Sequence, residues 1–466
     1  MIGDATTLAA AISGGQLTSA EAMEASILAA GKLSALGAVV SIDEDLGRTR
    51  AAAFDALSKD HPARKAAFAG VPTLVKDLGG PFRNLPTRAG SRTLPLGPKS
   101  LQSDLAARLE TAGLMPFGLT TSPEFGLSLS SEPMMGPRCA NPLEPRLSAG
   151  GSSGGAAAVV AAGIVAIAHA TDAGGSIRVP AAACGLYGMK PGRGEMGAGP
   201  HYGNYLAGIA SELAICRSTR DLTAIYRATR GESRGPFAEA RPLAPAPSLR
   251  IGILTETGAH PTTEARAAAV EEAARALEAM GHRLVTVSIS EIDHLMHEAN
   301  RLFGEIVCIN LAGLTAIPDF DLAKAEPLTQ AAIRKGLSMS GTEVWQLTMD
   351  LAFVARDLHV LFDRFDILLA PMLTDGPRPF GSFPSDHGDI DLQFKRMADF
   401  APLAALANIS GCPALTLPFG VDAQGLPLPL QLFAPFGGEE RLLSLSQALE
   451  DLGRWHHPFG IAGLDA

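Results

Sequence analysis

Apolar positions along the chain switch between helical and strand spacing several times, and the switches mark its elements. Residues 4–36 predict two amphipathic helices. In the second, TSAEAMEASILAAGKL, Thr18 or Ser19 stands as the N-cap. Glu21 and Glu24 fall in its first turns, where the positive end of the helix dipole favours acids. FAGVPTLVKD (68–77) bends at Gly-Val-Pro and continues as a short apolar strand ending on Lys76-Asp77. QSDLAARLETAG (102–113) predicts another helix, stopped by Gly113, and LMPFGLTT reads as a strand after it.

From 148 to 192 glycine, serine and alanine take over. The pattern runs loop (SAGGSSGG), helix (AAAVVAAG), strand (IVAIAHATD), glycine turn, then PAAACGLYGMKPG. Further on, RIGILTET (250–257) predicts a buried strand, TTEARAAAVEEAARALEAMG (262–281) a helix and HRLVTVSI (282–289) a second strand. Such strand–helix–strand alternation implies right-handed crossovers and a sheet that is at least partly parallel. FDILLAP (365–371) and ALTLPFG (414–420) supply later strands, and no internal repeat is visible. ARPLAPAPS (240–248) reads as a Pro-rich surface connection rather than a domain boundary.

Composition narrows the function classes. A chain of 466 residues, 47% hydrophobic and 18% charged, buries a large core. Its net charge of −10 comes without any sustained Lys/Arg run, which argues against a nucleic-acid or anionic-membrane partner. Cys139, Cys184, Cys216, Cys308 and Cys412 are scattered and never in CxxC spacing, so neither a disulfide framework nor a zinc site is expected, and a reducing, cytoplasmic setting is. MIGDATTLAAAISGG lacks the basic start and apolar run of a signal peptide. AAAVVAAGIVAIAHA (156–170) is too short to span a bilayer as a helix.

The chemistry concentrates in the glycine-framed serines. GGSSGG lacks the lysine of a phosphate-binding loop. Gly151-Ser152-Ser153-Gly154-Gly155 satisfies GxSxG literally, with Ser153 as nucleophile, but its lead-in ANPLEPRLSAG is no strand, so a nucleophile elbow does not fit. Tight helix-on-sheet packing would account for the small residues. It accounts less well for Ser152, Ser153, Thr171, Asp172, Ser176 and Arg178 in the most apolar part of the chain, since buried polar groups are costly unless paired. A serine nucleophile also needs a base. His169 sits within a strand, as packing histidines do, and His201 lies in a glycine-rich loop. Lys76 ends an apolar strand, where burial would lower its pKa and free its amine to accept a proton.

GVPTLVKD followed by GGSSGGAAAVVAAGIVAIAHATDAGGSIRVPAAACGLYGMKP (150–191) resembles the signature of the amidase signature family. TSAEAMEASI, LPTRAGS (85–91), FDILLAP and NISGCPALTLPFG…GLPLPLQLF (408–433) are similar to further family landmarks, and 220–400 matches least. The resemblance implies an α/β fold: one amidase domain over 1–466, with a central mixed, mostly parallel twisted sheet covered by helices on both faces. Its signature core would be 68–192 and its substrate-shaping region about 195–400. It implies Ser176 as nucleophile, Ser152 as the bridging serine after a cis peptide bond, and Lys76 as base. Backbone N–H groups of Ala173, Gly174 and Gly175 would form the oxyanion hole, at roughly 3–4 kcal/mol per donor. Asp77, Ser153, Asp172 and Arg178 would support the loops, with Arg178 as a substrate-carboxylate binder the weaker alternative.

Within the family, GPRCANPLEPRLSAGGSSGG and AIAHATDAGGSIRVPAAACGLYGMKP look more like the stand-alone amidases, including 6-aminohexanoate cyclic dimer hydrolase, than like the glutamine-cleaving chain of an amidotransferase. An amidotransferase chain of that A type, releasing ammonia from glutamine within a multisubunit complex, or a noncatalytic relative, is the alternative. Phe125, Leu127, Met134, Met135, Tyr202, Phe303 and Cys308 are the pocket candidates. The expected partner is a small amide, with no cofactor, metal, nucleic acid or membrane span, and a homodimer stays open.

Overall fold

Thirteen strands punctuate a largely helical chain in a computed structural model that describes residues 3–94, 96, 100–197, 199 and 205–464. In chain order they are β1 (Val39–Ile42), β2 (Val71–Lys76), β3 (Leu114–Thr120), β4 (Ala140–Asn141), β5 (Glu144–Ser148), β6 (Ile167–Asp172) and β7 (Tyr187–Lys190). There follow β8 (Ser211–Cys216), β9 (Arg250–Ile253), β10 (Arg283–Thr286), β11 (Ile367–Pro371), β12 (Ala414–Val421) and β13 (Pro427–Phe433). β4 and β5 pair apart, and the other eleven form one sheet ordered β1-β3-β2-β6-β8-β7-β12-β13-β11-β9-β10.

The expected mixed sheet is present, but its balance is the reverse of the expected one. Of the ten neighbouring pairs, six are antiparallel and four parallel. The crossovers exist as anticipated: β9 and β10, joined by helix Glu264–Ala279, pair in parallel. β6, helix Arg178–Ala183 and β7 make another such unit, but β8 inserts between the two strands and runs antiparallel to both. β12 and β13 add an antiparallel hairpin.

Both faces of the sheet are buried, as alternation along β11 demonstrates. Ile367 and Leu369 join one core with Leu430 and Leu432 of β13 and Val270 of helix Glu264–Ala279. Leu368 and Ala370 join a second core with Leu302 of helix Asp293–Ala312. Successive side chains of a strand point to opposite faces, so these two helices cover opposite sides.

Local signals act as the chemistry demands. Thr18, not Ser19, caps helix Ser19–Lys32; its side chain accepts from the Glu21 N–H while Glu21 reaches back. Ser103 caps helix Asp104–Thr111 through the Ala106 N–H. The stretch 240–248 carries no helix or strand and is mostly exposed. The five cysteines are free and buried. Among the described residues no helix is long and apolar enough to cross a membrane.

Candidate active site

β2 lies between β3 and β6 and runs parallel to both, so the carboxyl ends of three strands open on one side. Such ends are where α/β sheets gather ligand-binding groups. β2 pairs with β6 only at Leu74–Ala168, and beyond it the Lys76 N–H donates to the His169 side chain, Nδ1 at 3.3 Å. The Lys76 side chain is wholly buried. Its Nζ donates to Ser152 Oγ at 2.7 Å and to Thr171 Oγ1 at 2.8 Å. Burial pushes the Lys76 pKa down to about 7, against the upward pull of the Asp172 and Glu212 charges.

The Ser152–Ser153 loop joins that amine to the glycine turn. The Gly151–Ser152 peptide is cis. The Ser153 N–H donates to the Ser176 carbonyl at 3.2 Å, and Ser153 Oγ donates to the Thr171 carbonyl at 3.1 Å. Ser153 is thus a tie between β6 and the turn after it. The following helix, Gly154–Ala161, is buried throughout, so tight packing does explain the small residues there.

The turn 173–177 hangs on Asp172. Its carboxylate accepts from the N–H groups of Gly175 (2.7 Å) and Ile177 (3.1 Å) and from Arg178 Nε and Nη2 (both 3.0 Å). Burial raises the Asp172 pKa, but the Arg178 charge and these bonds outweigh it and hold it at about 2. Two expectations change here. The Gly175 N–H is directed at Asp172 Oδ1, so it is not offered to an oxyanion. Arg178, fully buried, also donates to Gln431 Oε1, the Ala404 carbonyl and Asn408 Oδ1, which leaves its guanidinium no role as a substrate-carboxylate binder. Gly175 itself has φ +110, a conformation side chains rarely adopt. A Cβ on Gly174 would lie 2.5 Å from the Phe303 ring.

Asp77 is buried beside Lys76, and its carboxylate accepts from the N–H groups of Arg88 (2.6 Å) and Gly90 (3.0 Å), fixing the loop that carries Ala89. Burial raises its pKa. His169 is a packing residue: Nε2 lies 3.1 Å from Glu212 Oε2 and the ring sits edge-on to Phe82.

Ser152, Thr171, Ala173 and Ser176 line one cavity of about 390 Å³. Phe125, Leu127 and Phe303 line it too, as the sequence predicts. Met134 and Met135 instead line a separate pocket of about 80 Å³ with Glu326 and Arg92. The Met134 N–H is anchored on Glu326 Oε1, which draws the segment away from the serines. Cys308 is fully buried in the second core rather than part of the cavity wall. Tyr202 and His201 lie outside the described residues. Leu206, Val307 and Leu311, inside the expected substrate-shaping region but not singled out from the sequence, line the wall with Glu212. Val307 and Leu311 stand four and eight residues after Phe303 on helix Asp293–Ala312, a spacing that could have found them.

A buried lysine hydrogen-bonded to Ser152 thus stands at a largely apolar cavity that Ser152 and Ser176 both line. The Amidase family model matches residues 21–443, and the chain belongs to the amidase signature family and is an amidohydrolase. Over 97% of its length it is 30% identical to AmiC of Mycobacterium tuberculosis, a presumed amidase by name, covering 95% of that protein. It is 28% identical to the 6-aminohexanoate-cyclic-dimer hydrolase of Paenarthrobacter ureafaciens, covering 97% of this chain and 95% of that one. The solved structure of 6-aminohexanoate cyclic dimer hydrolase with substrate superposes with a TM-score of 0.86 at 25% identity, over 97% of both chains. A glutamyl-tRNA(Gln) amidotransferase chain of Deinococcus deserti is 29% identical over 96% of each protein.

Proposed function

We propose that the chain hydrolyses the C–N bond of small linear or cyclic carboxamides through an acyl-enzyme on Ser176. The observation that carries this reading is the 2.7 Å contact between Lys76 Nζ and Ser152 Oγ at a cavity that Ser176 also lines. With its pKa near 7, Lys76 is substantially neutral at physiological pH and its lone pair can accept a proton. Ser152 passes its hydroxyl proton to Lys76 Nζ and takes the proton of Ser176, whose Oγ attacks the amide carbonyl. The tetrahedral oxyanion is met by the backbone N–H groups of Ala173, Gly174 and Ser176, since that of Gly175 is engaged by Asp172. Collapse breaks the C–N bond, and the relay run in reverse returns a proton to the leaving amine. Water then attacks the ester carbonyl, giving up a proton along the same route, and releases the carboxylic acid and Ser176.

Asp77, Ser153, Asp172 and Arg178 act as positioning residues. Asp77 fixes the loop at one wall, Ser153 links the two serine loops, and the Asp172–Arg178 pair holds the turn that presents Ser176. Helix Asp293–Ala312, inside the variable stretch 195–400, supplies the apolar wall that receives the substrate.

A panel of aryl and aliphatic amides tests the reading. Wild type should cleave some of them with no partner protein added, and Ser176→Ala and Lys76→Ala should each lose about 10⁴-fold or more in kcat while keeping the fold. An activity that appears only with partner proteins and glutamine would favour the amidotransferase reading instead.

A further inference from the structure

The cavity that holds Ser176 has a charge asymmetry that the proton relay does not use. Glu212, on β8, is 2% exposed and lines that cavity beside Thr171 and Ser211. No lysine or arginine side chain lines it among the described residues; Lys76 sits behind Ser152. The remaining wall is apolar or carries neutral polar groups, among them Asn310.

The Glu212 carboxylate is fixed in place. Oε2 lies 3.1 Å from His169 Nε2, and Oε1 accepts from the Gly80 N–H at 3.3 Å. It lies so close to the chain that a Cβ on Gly79 would be 2.5 Å from Oε1. The hydrogen bonds also define the charge of its partner. His169 Nδ1 accepts the Lys76 N–H, so that nitrogen carries a lone pair, and the ring proton belongs on Nε2, facing Glu212. The imidazole is therefore neutral, and it orients the carboxylate without neutralising it.

The other charged groups nearby divide differently. Asp172 is matched by Arg178 in a bidentate pair, and Asp77 is held by the Arg88 and Gly90 N–H groups. Lys76 lies behind Ser152 and Thr171, and the proposed relay needs it neutral. With Lys76 neutral, the Glu212 carboxylate is met by the Gly80 N–H and the His169 ring. A substrate carboxylate brought to this wall of low polarity would be weakly screened from it.

We propose that Glu212 is a specificity-determining residue that restricts the site to uncharged or cationic amides and excludes substrates with a carboxylate close to the scissile bond. This rests on the amidase reading above and narrows its substrate class. A charge-selective wall acts on the transition state and on binding alike, so it appears in kcat/KM for matched substrates that differ in charge alone.

Three anilides of equal acyl length test it, ending in a methyl, an ammonium or a carboxylate group. Wild type should cleave the neutral and cationic compounds and disfavour the anionic one by about 10- to 100-fold in kcat/KM. Glu212→Gln, which keeps an acceptor for His169, should still cleave the neutral anilide and shrink that ratio towards unity, mainly through the KM of the anionic compound. If Glu212→Gln does not fold, Ile317→Lys adds a cation at an exposed lining position and should raise the anionic compound's relative rate. Equal cleavage of anionic and neutral anilides by wild type, or a folded Glu212→Gln with an unchanged ratio, overturns the inference. If no anilide of any charge is cleaved, the amidase reading itself fails, which is a distinguishable outcome.

Discussion

Lys76 Nζ stands 2.7 Å from Ser152 Oγ with the lysine side chain wholly enclosed, and Thr171 Oγ1 is its other hydrogen-bond partner. Enclosure penalises the ammonium, and the two nearby carboxylates of Asp172 and Glu212 compensate only in part, so the amine titrates near pH 7. A strand end, an apolar environment and a hydroxyl contact together surround this lysine, and the proposed role as base rests on them.

The acid limb of activity follows from that pKa. Protonated Lys76 cannot accept from Ser152, so kcat/KM should fall by about tenfold per pH unit below about 7 and level off above it. A pH–rate profile checks this, and Thr171→Val, which removes an acceptor for the ammonium, should shift the midpoint lower. A profile flat down to pH 5 would not fit.

The Asp172–Arg178 pair makes a stability prediction. Asp172→Asn or Arg178→Met leaves its partner buried and unmatched, which should cost about 3–5 kcal/mol, read from denaturant midpoints. The folded-state pKa of Asp172 lies below its ordinary 3.8, so the stability it contributes is present above that value. It is lost as pH falls through 3.8 towards about 2.

Gly174 and Phe303 should prove coupled. A methyl group on Gly174 would lie 2.5 Å from the Phe303 ring, so Gly174→Ala should push the ring or the turn aside and lower kcat/KM by about 10²-fold. Phe303→Ala in the same chain makes room, and the double variant should regain about tenfold over Gly174→Ala alone. Additive losses in the four-variant cycle would show that the two do not touch.

Much of this site is legible in the sequence because its chemistry is local. Lys76 ends an apolar strand, and the serines stand in runs of glycine that leave few other readings. The Gly175 expectation fails for a reason no spacing reveals. Sequence treats the N–H groups of a glycine turn as equivalent, whereas Asp172, three residues earlier, takes one of them as an Asx-turn acceptor. Met134 and Met135 lie near Phe125 in the chain, but Glu326, 192 residues beyond Met134, draws them into another pocket. The antiparallel share of the sheet stayed hidden because β8 buries Glu212 and β13 carries Pro427 and Pro429, residues that argue against a strand. Only the neighbours β12 and β11 make β13 an interior strand.

The most direct measurement is labelling with a fluorophosphonate, followed by mapping of the modified peptide by mass spectrometry. A single adduct on Ser176 in wild type, formed at least ~10³-fold more slowly in Lys76→Ala and in Ser152→Ala, is the predicted result. An adduct on Ser152, Ser153 or any other residue, or labelling of Lys76→Ala at the wild-type rate, would contradict the account.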